Sequence, residues 1–542
     1  MLRLTDIRLP LDHSAADIHA AICAYLAVPA NDLISYTVFR RAVDARKSQA
    51  IVFVYTLDFE VVDEAKLLSQ FENDTHLKVA PDTSYHFVAR VPEYPLTTRP
   101  VIIGMGPSGL FAGLILAQSG FRPIILERGK AVRERTKDTF DLWRKGILDP
   151  ESNVQFGEGG AGTFSDGKLH TQIKDRKHYG RKVLDELVKA GAPPEIMFVS
   201  KPHIGTYKLV GIIEKMRANI LALGGEIRFQ SRVDDIDVED GQVCGVVLAN
   251  GERIATRHLI AAIGHSARDT FEMLHRRGVY MEAKSFSMGF RIEHPQSLID
   301  RGRYGNNAGN PLLGAADYNL VHHASNGRSV YSFCMCPGGT VVASTSEVGR
   351  VVTNGMSQYS RNERNANSGI VVGISPDDYP GNPLNGIEFQ RFWESRAFEL
   401  GGSNYHAPVQ LVGDFLVGRA SKAFGSVHPS YTPGVKLCDL SDALPEYIIT
   451  AIREALPAFA KQIKNFDLAD AVLTGVESRT SSPVCIKRNA DDLQSINTRG
   501  FYPAGEGAGY AGGILSSAVD GIKVAEAVSL NMLASKPLGE QQ

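Results

Sequence analysis

The segment Arg99-Pro100-Val101-Ile102-Ile103-Gly104-Met105-Gly106-Pro107-Ser108-Gly109-Leu110 constrains this chain more than any other. An apolar, strand-like run enters a Gly-x-Gly-x-x-Gly turn, and an Ala/Leu-rich helical run, Leu110 to Gln118, leaves it. A second apolar run, Ile124-Ile125-Leu126, then ends on Glu127. Each part has a task in holding a dinucleotide. Gly104 permits the tight turn, Gly106 lets the backbone approach a pyrophosphate, and Gly109 lets helix and strand pack closely. Pro107 and Ser108 open a helix whose free N–H groups and positive dipole end face the phosphates. Glu127, 18 residues after Gly109, can accept the hydroxyls of an adenosine ribose. Gly113 extends the glycine pattern by one helical turn, which favours FAD over NAD. Arg128 beside an intact Glu127 reads as a surface or adenine-side contact rather than a 2′-phosphate ligand.

The glycine pattern alone is weak, because it recurs at Gly157, Gly159, Gly162 and at Gly507, Gly509, Gly512. Only the first copy has strand, helix, second strand and terminal acid in order. A βαβ unit that binds nothing is the competing reading.

With 542 residues the chain has room for several domains and a large core. Its 58 basic and 60 acidic residues leave a net charge of −2. No global field therefore recruits nucleic acid or an anionic membrane. The start, Met1-Leu2-Arg3-Leu4-Thr5-Asp6, does not read as a signal peptide, and no apolar run approaches the ~20 residues of a membrane helix. A cytoplasmic location is expected. The six cysteines show no metal-ligand spacing, so no metal site is expected. Cys334-Met335-Cys336 alternates like a strand and reads as two small buried hydrophobes rather than a redox pair.

Residues 1–95 read as a separate α+β unit. Leu2 to Leu9, Ser35 to Ala45, Ala50 to Val61 and Tyr85 to Val91 are strand-like, and Ser14 to Leu26 and Val62 to Phe71 helical. The order βαββαβ points to a ferredoxin-like sandwich. Arg40, Arg41, Arg46 and Lys47 cluster around its hairpin; a solvated tip is expected, with RNA or a partner protein as the alternative.

The dinucleotide domain is expected over residues 97–277. Its Gly-rich loop, Val154 to Leu169, exposes many N–H groups, as close approach to a flat polar-edged ring requires. Gly159, Gly160, Ala161, Gly162, Phe164 and Ser165 are candidate cofactor contacts there. Tyr207 to Leu223 is helical. Three strand-like runs follow, Ser231 to Val238, Val243 to Leu248 and Arg253 to Thr256, joined by Glu239-Asp240-Gly241 and Asn250-Gly251 turns. His258 to Ile263 returns as an apolar run ending at Gly264. A loop-rich mixed α/β insertion is expected over 278–466, as substrate or cap domain. The chain then returns to the first fold over 467–535, ending in a glycine-rich turn and a helix from Leu515 to Leu530.

These features together resemble the glutathione-reductase-like FAD superfamily, in its single-nucleotide branch, and more narrowly the bacterial FAD-dependent (NAD(FAD)-utilising) dehydrogenases. The resemblance covers residues 97–535. It rests on Gly104 to Glu127, Gly157 to Leu169, Gly264-His265-Ser266-Ala267-Arg268-Asp269, Glu477-Ser478-Arg479-Thr480-Ser481-Ser482-Pro483 and Tyr502 to Gly513. It implies an α/β architecture: a discontinuous Rossmann-like domain with a parallel sheet and a three-strand meander. Where the superfamily has Ala-Thr-Gly, this chain has Ala262-Ile263-Gly264, with Ser266 beyond it; where it has Gly-Asp, this chain has Gly505-Glu506. The resemblance implies that Glu506 meets the ribityl chain, expected as an ionised acceptor. It implies that Gly512, Gly513 and Ile514 aim helix N–H groups at the flavin, and that the Val233 backbone meets adenine.

The redox chemistry belongs to the flavin, so catalytic side chains are hard to read. Arg291, His294 and Arg479 are the weak candidates, against structural ion pairs or core histidines. His322, His323 and Tyr331 are further candidates. The expected function is an FAD-dependent oxidoreductase acting on a small molecule, with NAD(P)H as a possible transient donor because no second nucleotide domain is visible. The alternatives are a flavoprotein acting on RNA or within a complex, and a non-enzymatic flavin module.

Overall fold

A computed structural model describes residues 1–91 and 98–534. The expected boundary at 95–97 and residue 535 lie outside the described residues.

Strands Val101–Ile103, Ile124–Leu126, Glu226–Arg228, Leu259–Ala261 and Phe501–Pro503 form one parallel sheet. Its inner strands are apolar without interruption because both faces are covered. Successive side chains point to opposite faces. Ile102, Ile125, Ile260 and Tyr502 pack under helices Pro107–Gln118, Thr206–Ala222 and Ile514–Ala534. Val101, Ile103, Leu126, Leu259 and Phe501 pack under the meander Val233–Glu239, Gln242–Leu248, Arg253–Ala255. Two glycines fix the first turn. Gly104 has φ +94°, and a Cβ on Gly109 would lie 2.0 Å from the Gly104 carbonyl oxygen. The Gly113 position is equally tight: its Cβ would meet Ile125 at 2.5 Å.

The second sheet is larger than the sequence reading allows. Seven strands run in the order Val321–His323, Ser329–Cys336, Asn365–Ile374, Phe286–Pro295, Val472–Glu477, Ala407–Leu411, Val435–Leu437. The strand Val472–Glu477 sits inside it, between Phe286–Pro295 and Ala407–Leu411. The expected return to the first fold at 467 is therefore too early, and the parallel sheet resumes only at Phe501. Local pattern could not tell, because Val472-Leu473-Thr474 is as apolar as a strand of either sheet. Helix Glu446–Ala460 covers one face, with Phe290, Ile292, Phe459 and Phe466 in its core.

In the N-terminal unit, Leu2–Pro10, Leu33–Asp44, Val52–Val61 and Leu77–Val79 form an antiparallel sheet in which the first strand lies between the third and fourth. Helices Ala15–Leu26 and Glu64–Gln70 begin at Ser14 and Asp63, whose side chains cap them. The last strand is Leu77–Val79 rather than Tyr85–Val91. Tyr85, Phe87 and Val91 instead pack on the helical side of the parallel sheet, and the Tyr85 hydroxyl donates to Glu526 at 3.1 Å. The basic side chains Arg40, Arg46 and Lys47 are exposed, as expected of a solvated hairpin, while its backbone is tied to the rest of the chain. The Arg41 N–H donates to Phe198 O at 2.7 Å, the Ser200 N–H donates to Arg41 O at 2.9 Å, and Asn307 donates to Ser48 O at 2.9 Å. Arg46 pairs with Asp44, while Arg41 lies over Phe53 and Phe198.

Candidate functional site

A cavity of about 590 Å³ runs from the turn at Gly104 to the antiparallel sheet, within the range of small-molecule sites. Gly104, Gly106, Pro107, Ser108, Glu127, Arg128, Gly160, Ala161, Gly162, Ser165, Val233, Gly264, Ser266, Gly505, Glu506, Gly512, Gly513 and Ile514 all line it. Three candidates stand behind the lining. Gly109 is at the helix–strand contact. Gly159 donates its N–H to Met105 O at 2.8 Å, and a Cβ there would meet Thr163 Oγ1 at 2.3 Å. Phe164 is buried against Trp143 and Arg135.

At one end Glu127 is already a backbone organiser. Its Oε2 accepts the Met105 N–H at 2.8 Å, and its Oε1 accepts those of Gly129 and Gly157, each at 2.9 Å. A carboxylate has about four lone-pair sites, so about one remains for a ribose hydroxyl rather than a full pair. Arg128 lies 4.1 Å over Phe156 and is held by Glu151 and Asp269. Helix Pro107–Gln118 starts with no side-chain cap, leaving N–H groups toward the cavity. Ser108 Oγ, which lines it, is buried without a hydrogen-bond partner. A Cβ on Gly106 would meet only Gly160, at 3.7 Å, and Cβ atoms on Gly264, Gly512 and Gly513 would meet nothing within 4 Å. These positions are a cradle that side chains would fill.

The glycine-rich loop owes its shape to a residue the sequence gave no reason to single out. Arg135 is fully buried. Its guanidinium donates to the carbonyls of Asn153 at 2.7 Å, Val154 at 2.6 Å and Glu158 at 2.7 Å. Nothing in the charged stretch Val132–Lys145 marks this one arginine as inward-facing except helical phase.

At the other end stands Glu506, a quarter exposed and lining the cavity. Loss of hydration pushes its carboxyl up to about 7. It is thus poised between protonation states rather than firmly ionised as expected. His265 Nε2 lies 3.9 Å from it. Burial, then the Arg479 and Arg268 charges, push this imidazole down to about 3, so it is neutral at ordinary pH.

The three catalytic candidates separate. His294 is wholly buried on the face of its strand away from the cavity, with Nε2 2.6 Å from the Phe466 carbonyl oxygen. Arg291 is also fully buried, paired with Glu477 at 2.5 Å and donating to Asn367 at 2.8 Å. Neither lines the cavity. Arg479 does, yet it serves Glu394 at 3.0 Å, Ser266 at 3.1 Å and Ser346 at 2.7 Å. Arg268 holds the same Glu394 at 2.8 Å. Burial pushes the Glu394 carboxyl up, but the two arginine charges outweigh it and hold it far below the usual range. This lattice of charges joins the two sheets. Lys168, Tyr331, Cys334 and Asn354 also line the cavity; of these the sequence singled out only Tyr331, weakly, and Cys334 as a buried hydrophobe. Among the described residues no group of three His, Cys, Asp or Glu could hold a metal ion, and no helix is long and apolar enough to cross a membrane.

The family profile "FAD-dependent protein, C-terminal domain-like" matches residues 285–480, and a domain of unknown function matches residues 1–60. An uncharacterized protein of Clostridium beijerinckii is 49% identical over 532 residues, 97% of this chain and 98% of that one. The chain belongs to that protein's family and carries the FAD-dependent C-terminal domain. The matched domain begins and ends with the seven-strand sheet, from Phe286 to Glu477. The profile match supports FAD as the cofactor, and the uncapped helix start, the unpartnered Ser108 and the open glycine cradle fit it. Solved structures of similar path include halogenase PltM (14% identity, 80% of this chain, 69% of that one, TM-score 0.36) and L-proline dehydrogenase from P. horikoshii (11%, 81% and 95%, TM-score 0.33). Likeness at that level carries no argument about activity.

Proposed function

We propose that this flavoprotein is an FAD-dependent oxidoreductase acting on a small molecule, in the cytoplasm. One observation supports the reading above others: Glu127, the uncapped helix start at Pro107, and Glu506 with Gly512 and Gly513 line one continuous cavity. Glu127 and the Ser231–Val233 backbone would hold the adenosine end. Gly106, Gly160 and the helix start would hold the pyrophosphate. Bound FAD would supply the hydride- and electron-transfer chemistry of the reaction.

The protein's part is to bind, orient and tune. The start of helix Ile514–Ala534 lines the cavity, where its dipole would stabilise negative charge on a reduced flavin ring. Glu506 Oε, near neutrality, can hold or release one proton. Arg479 and Arg268 fix Glu394 and so hold the substrate wall against the cofactor wall. No observation favours RNA as a partner of the exposed Arg40, Arg46 and Lys47.

Anaerobic mixing of the purified holoprotein with NADH or NADPH tests the donor. Bleaching of the flavin band at a rate that saturates with donor supports a transient nicotinamide site. An unchanged spectrum with both removes that donor. Turnover on no small-molecule substrate, with flavin fully bound, would favour the non-enzymatic module instead.

A further inference from the structure

The strand Ser329–Cys336 breaks its register with Asn365–Ile374 between Phe333 and Cys336. Such a bulge re-aims a side chain, and bulges concentrate beside active sites. Here the residue re-aimed is Cys334. Its backbone is left-handed, with φ +44°, a conformation unusual for a non-glycine residue. The result is a thiol on the cavity wall instead of one buried in the sheet.

Two residues along the strand, Cys336 is fully buried, its Sγ 3.3 Å from the Cys334 carbonyl oxygen to which it donates. Lys168, on the same cavity wall, donates its ammonium to the Met335 carbonyl between them. Arg291 donates to the Cys334 carbonyl at 3.1 Å. A thiol beside a second thiol and two cations is the setting that favours a reactive thiolate. The neighbouring Cys336 thiol lowers the Cys334 thiol from its ordinary range; burial opposes this, and the Lys168 and Arg291 charges add to the lowering. This is not the surroundings of two small hydrophobes.

We propose that Cys334 and Cys336 are a redox-active dithiol that exchanges two electrons with the flavin bound in this cavity. The proposal rests on the FAD reading above. Starting from the Cys334 thiolate and the Cys336 thiol, one S–S bond forms and the Cys336 S–H bond breaks. Two electrons and that proton pass to the oxidised flavin, so charge and atoms balance. Cys334, the sulfur facing the cavity, is the one a low-molecular-weight thiol can reach to restore the pair by exchange. The substrate class is then small thiols and their disulfides.

The test uses the full-length holoprotein in two parts. In the first, the protein is equilibrated in buffers of graded dithiothreitol and its oxidised form, trapped with N-ethylmaleimide and mapped by peptide mass. The proposal expects Cys334 and Cys336 to lose alkylation together in one step, joined in one peptide. Independent alkylation at every potential, or a disulfide to any other cysteine, overturns it. In the second, oxidised holoprotein is titrated anaerobically with dithionite. Wild type should consume about twice the reductant per bound flavin that Cys334→Ser or Cys334→Ala consumes; equal consumption overturns the proposal. Bound flavin is read from the spectrum beforehand. A colourless protein overturns the FAD reading, and the peptide map then still decides the dithiol, because it needs neither flavin nor a variant.

Discussion

The cavity has two walls, and they are made of different material. On the parallel-sheet wall, around Gly104–Gly109, Gly160 and Gly512–Gly513, the working surface is main chain, and glycine is used because a side chain would occupy the ligand's space. On the facing wall the working surface is side chain: Tyr331, Cys334 and Glu477 of the antiparallel sheet, with Arg479 just beyond it and Lys168 and Asn354 from neighbouring segments. Behind it charges are matched in buried pairs, Arg291 with Glu477 and Arg268 and Arg479 with Glu394. A ligand common to many proteins can be met by backbone alone. A particular substrate needs particular side chains, held still.

The sharpest way to break this comparison is to remove one charge from the second wall. Arg291→Ala leaves Glu477 buried and unpaired, which should cost about 3–5 kcal/mol. The double variant Arg291→Met, Glu477→Leu should recover most of that, because an apolar pair of similar volume avoids the desolvation cost. Denaturant midpoints measure both. A single variant as stable as wild type would show that the pair is not what holds this wall.

The first wall should fail differently. Gly106→Val projects into the cavity, so the chain should fold with stability changed by no more than about 0.5 kcal/mol, yet lose FAD by two orders of magnitude or more, about 3 kcal/mol in affinity. Gly109→Val, whose Cβ would overlap the Gly104 carbonyl, should instead damage folding itself. Flavin titration of apoprotein beside thermal melting separates the two. Equal damage to folding in both would erase the distinction between a binding glycine and a packing glycine.

A third test concerns the core behind the second wall. Burial lowers His294 to about 4 from its ordinary 6.5. Between those values the unfolded chain binds a proton that the folded chain refuses. Stability is therefore full above pH about 6.5 and falls as pH drops toward about 4, by up to about 3 kcal/mol. His294→Gln removes the titration and should flatten this acid limb, read as melting temperature against pH. An unchanged slope would mean that other groups, His265 among them, carry it.

The smallest expected effect lies at Glu506, where the walls meet. Its carboxyl, near 7, is mostly protonated at pH about 6 and mostly ionised at pH about 8. A charge-assisted bond to a ribityl hydroxyl forms only with the ionised form. Wild type and Glu506→Gln should thus bind FAD alike at the lower pH and differ by about 1–2 kcal/mol at the higher. A gap that is constant with pH would place Glu506 off the ribityl chain.

The same contrast explains what the sequence could and could not disclose. Gly104 to Glu127 was legible because a main-chain site is written as spacing: glycines where φ or close approach demands them, and an acid at the end of the next strand. The hairpin turns of the meander were legible for the same reason. The second wall is written in contacts far apart in sequence, such as Arg268 with Glu394, 126 residues apart, and Arg291 with Glu477, 186 apart. No local pattern distinguishes Arg291, an ion-pair anchor, from a catalytic arginine. His294 is separated from the cavity only by strand phase. Cys334 was misread because strict alternation was assumed where a bulge turns the chain. The return strand Val472–Glu477 was assigned to the wrong sheet because its composition suits both.

The cofactor released on denaturation tests the central claim most directly. Purified protein, denatured and chromatographed with standards, should yield FAD at about one per chain when fully loaded, and Gly106→Val should yield almost none. Stoichiometric FMN, which has no adenosine for the Glu127 end of the cavity, or a folded protein that binds no flavin at all when titrated with FAD, would contradict the account.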